Sequence, residues 1–182
     1  MVFSPSQARE ALSTADCLFT LQQVEEALDA MAQRISEKIS KSDPLVLAVM
    51  NGGLIPAARL LSRFDFPLRQ DYVHVTRYRE NIRGQTLTWV RKPVAPMRGR
   101  TVLIIDDILD EGFTLDALVK ACKGQGASSV QTALLCEKVH DRGCDFQGDF
   151  IALQVPDRYV FGYGMDYRGY LRNAPGIFAI AD

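Results

Sequence analysis

The feature that most constrains this chain is a stretch, Leu45–Met50, that is apolar at every position. A strand with one solvated face alternates apolar and polar residues. A strand apolar at successive positions is covered on both faces, as in a parallel sheet with helices above and below. Thr101–Ile105, Val130–Cys136 and Phe150–Val155 are largely apolar too and read as further buried strands. Between them the period changes. Val24, Leu28, Met31, Ile35 and Ile39 recur at helical spacing. Thr20 and Gln23 stand ahead of them as a capping box, so the spacing predicts a helix ending near Lys41, before Ser42-Asp43-Pro44. Leu54–Phe64 and Thr114–Lys123 read as helices, the second stopped by Gly124-Gln125-Gly126. Gln70–Tyr78 and Thr86–Arg91 read as strands around a polar loop, Arg79–Gln85. Residues 1–19 carry a weaker pattern, with a short helix around Ser6–Ala15. Strand, turn, helix and strand repeat in order, which predicts an α/β fold with a mostly parallel, twisted sheet flanked by helices.

The 182 residues, 47% of them hydrophobic, suit one globular domain with a buried core. A net charge of -1 lacks the strongly basic balance of a nucleic-acid-binding domain. The four cysteines, Cys17, Cys122, Cys136 and Cys144, form no C-x-x-C pair, so neither a metal finger nor a disulfide framework is expected. The opening MVFSPSQARE has no leader pattern and no apolar run is long enough to span a bilayer, so a soluble cytoplasmic protein is expected. Neither a P-loop nor a Gly-x-Ser-x-Gly elbow occurs. His74 and His140 are isolated, without ligand spacing, and His74 reads as structural.

In an open parallel sheet, ligands bind beyond the carboxyl ends of the strands. Three such ends carry unusual residues: Asn51-Gly52-Gly53, Asp106-Asp107 and Glu137-Lys138. The most informative segment runs from Val102 to Thr114. A buried strand meets the adjacent acids Asp106 and Asp107; a turn over 106–113 with Asp110 follows, then Glu111, Gly112, Phe113 and Thr114 at a helix start. Unpaired N–H groups and the positive end of the dipole make a helix start a phosphate site. Ionised carboxylates only accept hydrogen bonds, so the acids suit sugar hydroxyls. Phosphate donors beside hydroxyl acceptors point to a sugar phosphate.

This segment resembles the phosphoribosyl pyrophosphate (PRPP) motif of the type I phosphoribosyltransferases. Met50-Asn51-Gly52-Gly53 resembles the family's pyrophosphate loop, and Leu134–Lys138 the strand end that presents a purine-reading lysine. Val155–Arg172 resembles the hypoxanthine-guanine branch, and together these matches reach from Leu45 to Arg172. The resemblance implies purine salvage: transfer of 5-phosphoribosyl from PRPP to N9 of a 6-oxopurine, with Mg2+ as cofactor. It implies one phosphoribosyltransferase domain, with a core over roughly residues 21–154 and a small hood from roughly 1–20 and 155–182. A homodimer or homotetramer is also implied.

The same resemblance assigns roles. Asp110 matches the catalytic acid/base beside purine N7. Asp106 and Asp107 match the pair that engages the ribose hydroxyls, directly or through metal-bound water, and Glu111, Gly112, Phe113 and Thr114 the cradle of the 5-phosphate. Asn51, Gly52, Gly53 and Arg172 match the pyrophosphate site, where the family can carry a cis peptide before the loop's second residue. Lys138 matches the donor to purine O6, Tyr159 the stacking aromatic and the Val160 carbonyl the acceptor at C2. Asp166 matches a Mg2+ ligand, and Arg77 and Tyr78 belong to a lid over roughly residues 77–90. The chain departs from the usual pattern at three positions: Asn51 stands where many members have Lys, Arg77 where many have Ser, and Glu111 where the phosphate loop commonly has Thr. Two rivals share the fold, a xanthine- or pyrimidine-directed transferase and a regulator that senses PRPP without catalysis.

Overall fold

The computed structural model describes residues 3–77, 87–141 and 143–181, with the side chains of Arg77 and Leu87 outside that description. Tyr78, the expected loop Arg79–Gln85 and the expected strand start at Thr86 lie outside the described residues. In chain order the elements are α1 (Pro5–Thr14), β1 (Asp16–Thr20), α2 (Leu21–Ile39), β2 (Leu45–Met50), α3 (Leu54–Leu61), β3 (Arg69–Arg77) and β4 (Leu87–Arg91). Then come β5 (Thr101–Leu109), α4 (Phe113–Gly124), β6 (Ser129–Val139), β7 (Phe150–Pro156), β8 (Val160–Phe161) and β9 (Gly176–Ala179).

The main sheet has six strands in the order β4-β3-β2-β5-β6-β7. Every neighbouring pair is parallel except β3 with β4. Burial on both faces, the reason to expect a parallel sheet, is visible residue by residue. Leu45, Leu47, Val49, Val102 and Ile104 join the core beneath α4, with Leu115, Leu118 and Cys122. Their alternates Val46, Ala48, Leu103 and Ile105 join the core beneath α2 and α3, with Leu28, Met31, Ile35, Ala57 and Leu60. The two-residue period of a strand thus sends consecutive apolar side chains into two separate cores.

The helix starts follow their caps. Thr20 and Gln23 form the capping box expected for α2, each side chain bonding the other's backbone N–H. The apolar stripe Val24, Leu28, Met31, Ile35 and Ile39 is buried. Helix α2 stops at Ile39 and α3 at Leu61, a little short of the expected Lys41 and Phe64. Helix α1 starts at Pro5, earlier than Ser6, because a second capping box joins Ser4 and Gln7 and Pro occupies the first turn.

Two expectations need correction. The segment Asp106–Phe113 is not all turn: β5 continues to Leu109, because β6 continues beside it to Val139. Ile108 pairs with Cys136 and Leu109 with Glu137, and Leu109 is buried. Backbone pairing with a long neighbour carries the strand through two acids that read as its end. The second correction lies in the hood. It holds a three-stranded antiparallel sheet, β1-β9-β8, in segments where the amino-acid pattern predicts no strand. β1 pairs Asp16 with Ala179 and Thr20 with Gly176, tying the start of the chain to its end.

Candidate active site

The carboxyl ends of β2, β5 and β6 meet the segment Tyr159–Arg172 on one side of the main sheet. Two adjoining pockets lie there. The first is lined by Asp107, Ile108, Asp110, Lys138, Tyr159, Val160, Met165 and Asp166. The second is lined by Asp106, Ile108, Leu109, Asp110, Gly112, Thr114 and Leu115. Ile108 and Asp110 line both, and the adjacent acids divide, Asp107 to the first and Asp106 to the second.

The second pocket is built on the start of α4. Gly112 is its N-cap at φ 81°, a left-handed conformation that favours glycine. A β-carbon there would lie 2.9 Å from Cβ of Phe146 and 3.2 Å from Sγ of Cys144. The segment after His140 therefore packs against this turn, and the Cys144 N–H donates to the Glu111 carbonyl at 3.0 Å. Helix α4 begins at Phe113, so Thr114 lies in its first turn and lines the pocket.

Asp106 and Asp107 are neighbouring acids near the end of β5. Burial pushes the Asp106 carboxyl well above its ordinary range, and the Asp107 charge pushes it further. Burial raises Asp107 as well, against a hydrogen bond with Asp106 and the attraction of the Arg172 guanidinium. The Asp107 N–H donates to Oδ1 of Asp106 at 2.9 Å. A buried acidic pair of this kind favours a cation or hydroxyl donors beside it.

The loop after β2 fits against this pair. The Met50–Asn51 peptide is cis, ahead of the second residue of the loop Met50-Asn51-Gly52-Gly53. A β-carbon on Gly52 would run into the Asp107 carboxylate. One on Gly53 would lie 2.7 Å from the carbonyl oxygens of Ile105 and Val49. Gly164, at φ 115°, packs so closely that a β-carbon would strike the Gly52 carbonyl. Gly53 and Gly164 let backbone approach backbone, and Gly52 leaves room for the Asp107 carboxylate.

Arg172 and Asp166 form an ion pair at 2.7 Å. Arg172 Nη1 donates to the Gly164 carbonyl at 2.7 Å, and Oδ2 of Asp166 accepts the Gly169 N–H at 2.7 Å. Among the described residues no cluster of three or more His, Cys, Asp or Glu forms a ready-made metal cage. Mg2+ usually binds through one or two carboxylates, with water and substrate phosphate completing its shell. Asp166, which lines the first pocket with Asp107, and the adjacent Asp106 offer carboxylate oxygens of that kind.

At the junction of the pockets, Oδ2 of Asp110 lies 3.2 Å from Nζ of Lys138, and Oδ1 lies 2.8 Å from Nε2 of His140. Lys138 also stands 4.0 Å from Oδ1 of Asp157. The Tyr159 ring, half exposed, meets Tyr167 edge-on with centroids 5.2 Å apart. Val160 is buried in β8, paired with Ala179. Thus Asp107, Asp110, Lys138, Tyr159, Val160 and Asp166 share one pocket, and Asp106, Gly112 and Thr114 the other. β3 carries Arg77 at its end, while Tyr78 falls outside the described residues. His140 is the site residue that reading the sequence missed. Its signal was spacing: residues two apart on an extended segment project from the same face, so Lys138 and His140 go together. Val139 between them is exposed.

Among the described residues no helix is long and apolar enough to cross a membrane. Hypoxanthine-guanine phosphoribosyltransferase from Bacillus subtilis is 29% identical over 161 residues, covering 88% of this chain and 89% of the relative. The enzyme of the same name from Staphylococcus epidermidis is 32% identical over 139 residues, 75% of this chain and 78% of the relative. Of solved structures, a mutant hypoxanthine phosphoribosyltransferase from Trypanosoma cruzi in a ternary substrates complex superposes with a TM-score of 0.86 at 26% identity. That superposition covers 93% of this chain and 97% of the other. A sequence model described as the phosphoribosyl transferase domain matches residues 14–168, and the chain belongs to that family.

Proposed function

We propose that this protein is a purine-salvage enzyme that transfers 5-phosphoribosyl from PRPP to N9 of hypoxanthine or guanine, releasing pyrophosphate. The observation that carries the reading is Asp110, standing where a pocket with an aromatic and a lysine adjoins a pocket built on a helix start. The relatives' names supply the substrate class.

In this reading the 5-phosphate accepts hydrogen bonds from backbone N–H groups over Glu111–Thr114 and from the Thr114 hydroxyl, at the positive end of α4. The ribose hydroxyls donate to Asp106 and Asp107. Pyrophosphate lies against Asn51-Gly52-Gly53, whose backbone is bare of side chain at both glycines, and takes the planar fork of Arg172. Asn51 adds no charge there, so Arg172 supplies the cationic contact. Asp166, with Asp106 and Asp107 directly or through water, would hold Mg2+, which when bound neutralises charge on the leaving group.

The base stacks on Tyr159, whose ring is steadied by Tyr167. Its O6 accepts from Lys138, and a substituent at C2 donates to the Val160 carbonyl. Adenine would set an amino donor against the Lys138 ammonium, and an unpaired polar contact of this kind discriminates strongly. The bond from C1 of the ribose to pyrophosphate breaks, N9 supplies the electron pair for the new bond, and the N7 proton passes to Asp110.

The test is an acceptor screen: purified protein, PRPP and Mg2+ with each base in turn, following pyrophosphate release. Turnover with hypoxanthine or guanine and none with adenine is the expected result. Turnover with xanthine alone or with a pyrimidine would reassign the acceptor, and PRPP binding with no turnover on any base would leave a sensor.

A further inference from the structure

We propose that His140 is a positioning residue that holds the Asp110 carboxylate while the base displaces Lys138 from it. The inference rests on Asp110 being the group that accepts the N7 proton.

Lys138 and His140 occupy different oxygens of one carboxylate, at 3.2 and 2.8 Å. Asp110 is 38% exposed, whereas the Lys138 and His140 side chains are 13% and 7% exposed. An ionised carboxylate can only accept, so Nε2 carries the hydrogen in the bond to His140.

A 6-oxopurine presents O6 and N7 on the same edge. For Lys138 to reach O6 and for Asp110 to reach N7–H, the edge of the base must insert into the Lys138–Asp110 pair. Lys138 then exchanges one oxygen acceptor for another and keeps Asp157 nearby. Asp110 gives up its hydrogen bond from Lys138 at the moment its orientation matters most. The bond from His140 lies on the other oxygen, out of the way of this exchange. It can persist through the reaction and keep Oδ2 turned toward N7. A misdirected acceptor loses rate steeply even when the change in position is small.

The experiment is steady-state kinetics on His140→Ala, His140→Gln and His140→Asn, with PRPP titrations and thermal melts on each. Nε2 of Gln reaches about as far as Nε2 of His, whereas Nδ2 of Asn mimics the nearer ring nitrogen. His140→Ala is expected to lower kcat by about 10- to 100-fold, the scale of loss when a reacting group is slightly misplaced, with KM for PRPP little changed. His140→Gln should recover most of that loss, and His140→Asn should not. In an Asp110→Asn background, His140→Ala should add little. If Asp110→Asn is slow while His140→Ala runs at the parental kcat, the inference fails and the assigned reaction stands. It fails equally if the Gln and Asn variants lose activity in step with their melting temperatures. If Asp110→Asn itself keeps the parental kcat, the role of Asp110 in proton transfer fails and takes this inference with it.

Discussion

The two sides of the site are built in different ways. The side proposed for the sugar phosphate is made of β5 and the start of α4. Asp106 and Asp107 sit on a strand paired to both neighbours, and burial pushes both carboxyls above their ordinary range. The side proposed for the base and pyrophosphate is made largely of Tyr159–Arg172, in which Tyr163, Arg168 and Leu171 all take positive φ. Asp166 and Arg172 there are about a third exposed and bond mainly to each other and to nearby backbone. Non-glycine residues at positive φ persist only where their surroundings hold them. Here one such hold is the Tyr163 hydroxyl on Glu25, which also pairs with Arg59 and Arg63. The first side is fixed by a ladder and the second by side-chain ties and close glycine contacts. The two sides meet at Asp110, which lines both pockets, and the proposed proton transfer depends on that meeting.

The largest effect should come from the meeting point. Asp110→Asn keeps size and turn chemistry but cannot take a proton at neutral pH. It is expected to lower kcat by about 10²-fold or more while PRPP affinity changes little, read by steady-state kinetics and a PRPP titration. Less than about a threefold loss would mean the two sides do not meet in proton transfer.

Lys138→Gln reads the base side through the contact with O6. It should weaken 6-oxopurine use by about 10- to 100-fold, because a charge-assisted donor to O6 is replaced by a neutral one, and should spare PRPP binding. Equal losses for base and PRPP would blur the division between the two sides.

Gly164→Ala strikes the joint between hood and sheet. Its β-carbon would meet the Gly52 carbonyl at a backbone conformation that L-residues avoid. The expected cost is about 1–3 kcal/mol of stability, with a rise in KM for PRPP that exceeds any fall in kcat. A thermal melt with kinetics on the same preparation reads both.

Asp71 supplies the control, since it lies away from both sides. Burial alone would raise its carboxyl, but hydrogen bonds from the Ala95 N–H, the Arg91 guanidinium and the Tyr72 and Val94 N–H groups hold it down at about 2. The folded value is below the unfolded one of about 3.9, so the contribution is complete above that value and is lost as pH falls toward the folded one. Asp71→Asn should therefore cost roughly 2 kcal/mol at neutral pH, and the gap to the parent should close between about pH 4 and pH 2. Its kcat should stay near the parental value. A large fall in kcat would show that lost stability by itself imitates damage to the site.

The amino-acid order alone determined the parallel core. Buried strands such as Leu45–Met50 are apolar at successive positions because both faces of the sheet are covered, and that pattern is local. The glycine cap of α4, the placing of acids ahead of a helix start and the α2 capping box were legible for the same reason: each lies within a few residues of chain. What the sequence left open is long-range. β1 carries no period of its own and forms only because β9, at the other end of the chain, supplies its hydrogen bonds. β5 runs on through Asp106 and Asp107 because β6 is long enough to pair with it, a fact that no residue in β5 records. His140 looked isolated in the sequence and stands against Asp110 only because adjacent parallel strands bring their carboxyl ends together. Local pattern chooses the elements, and the register between distant segments decides which side chains meet.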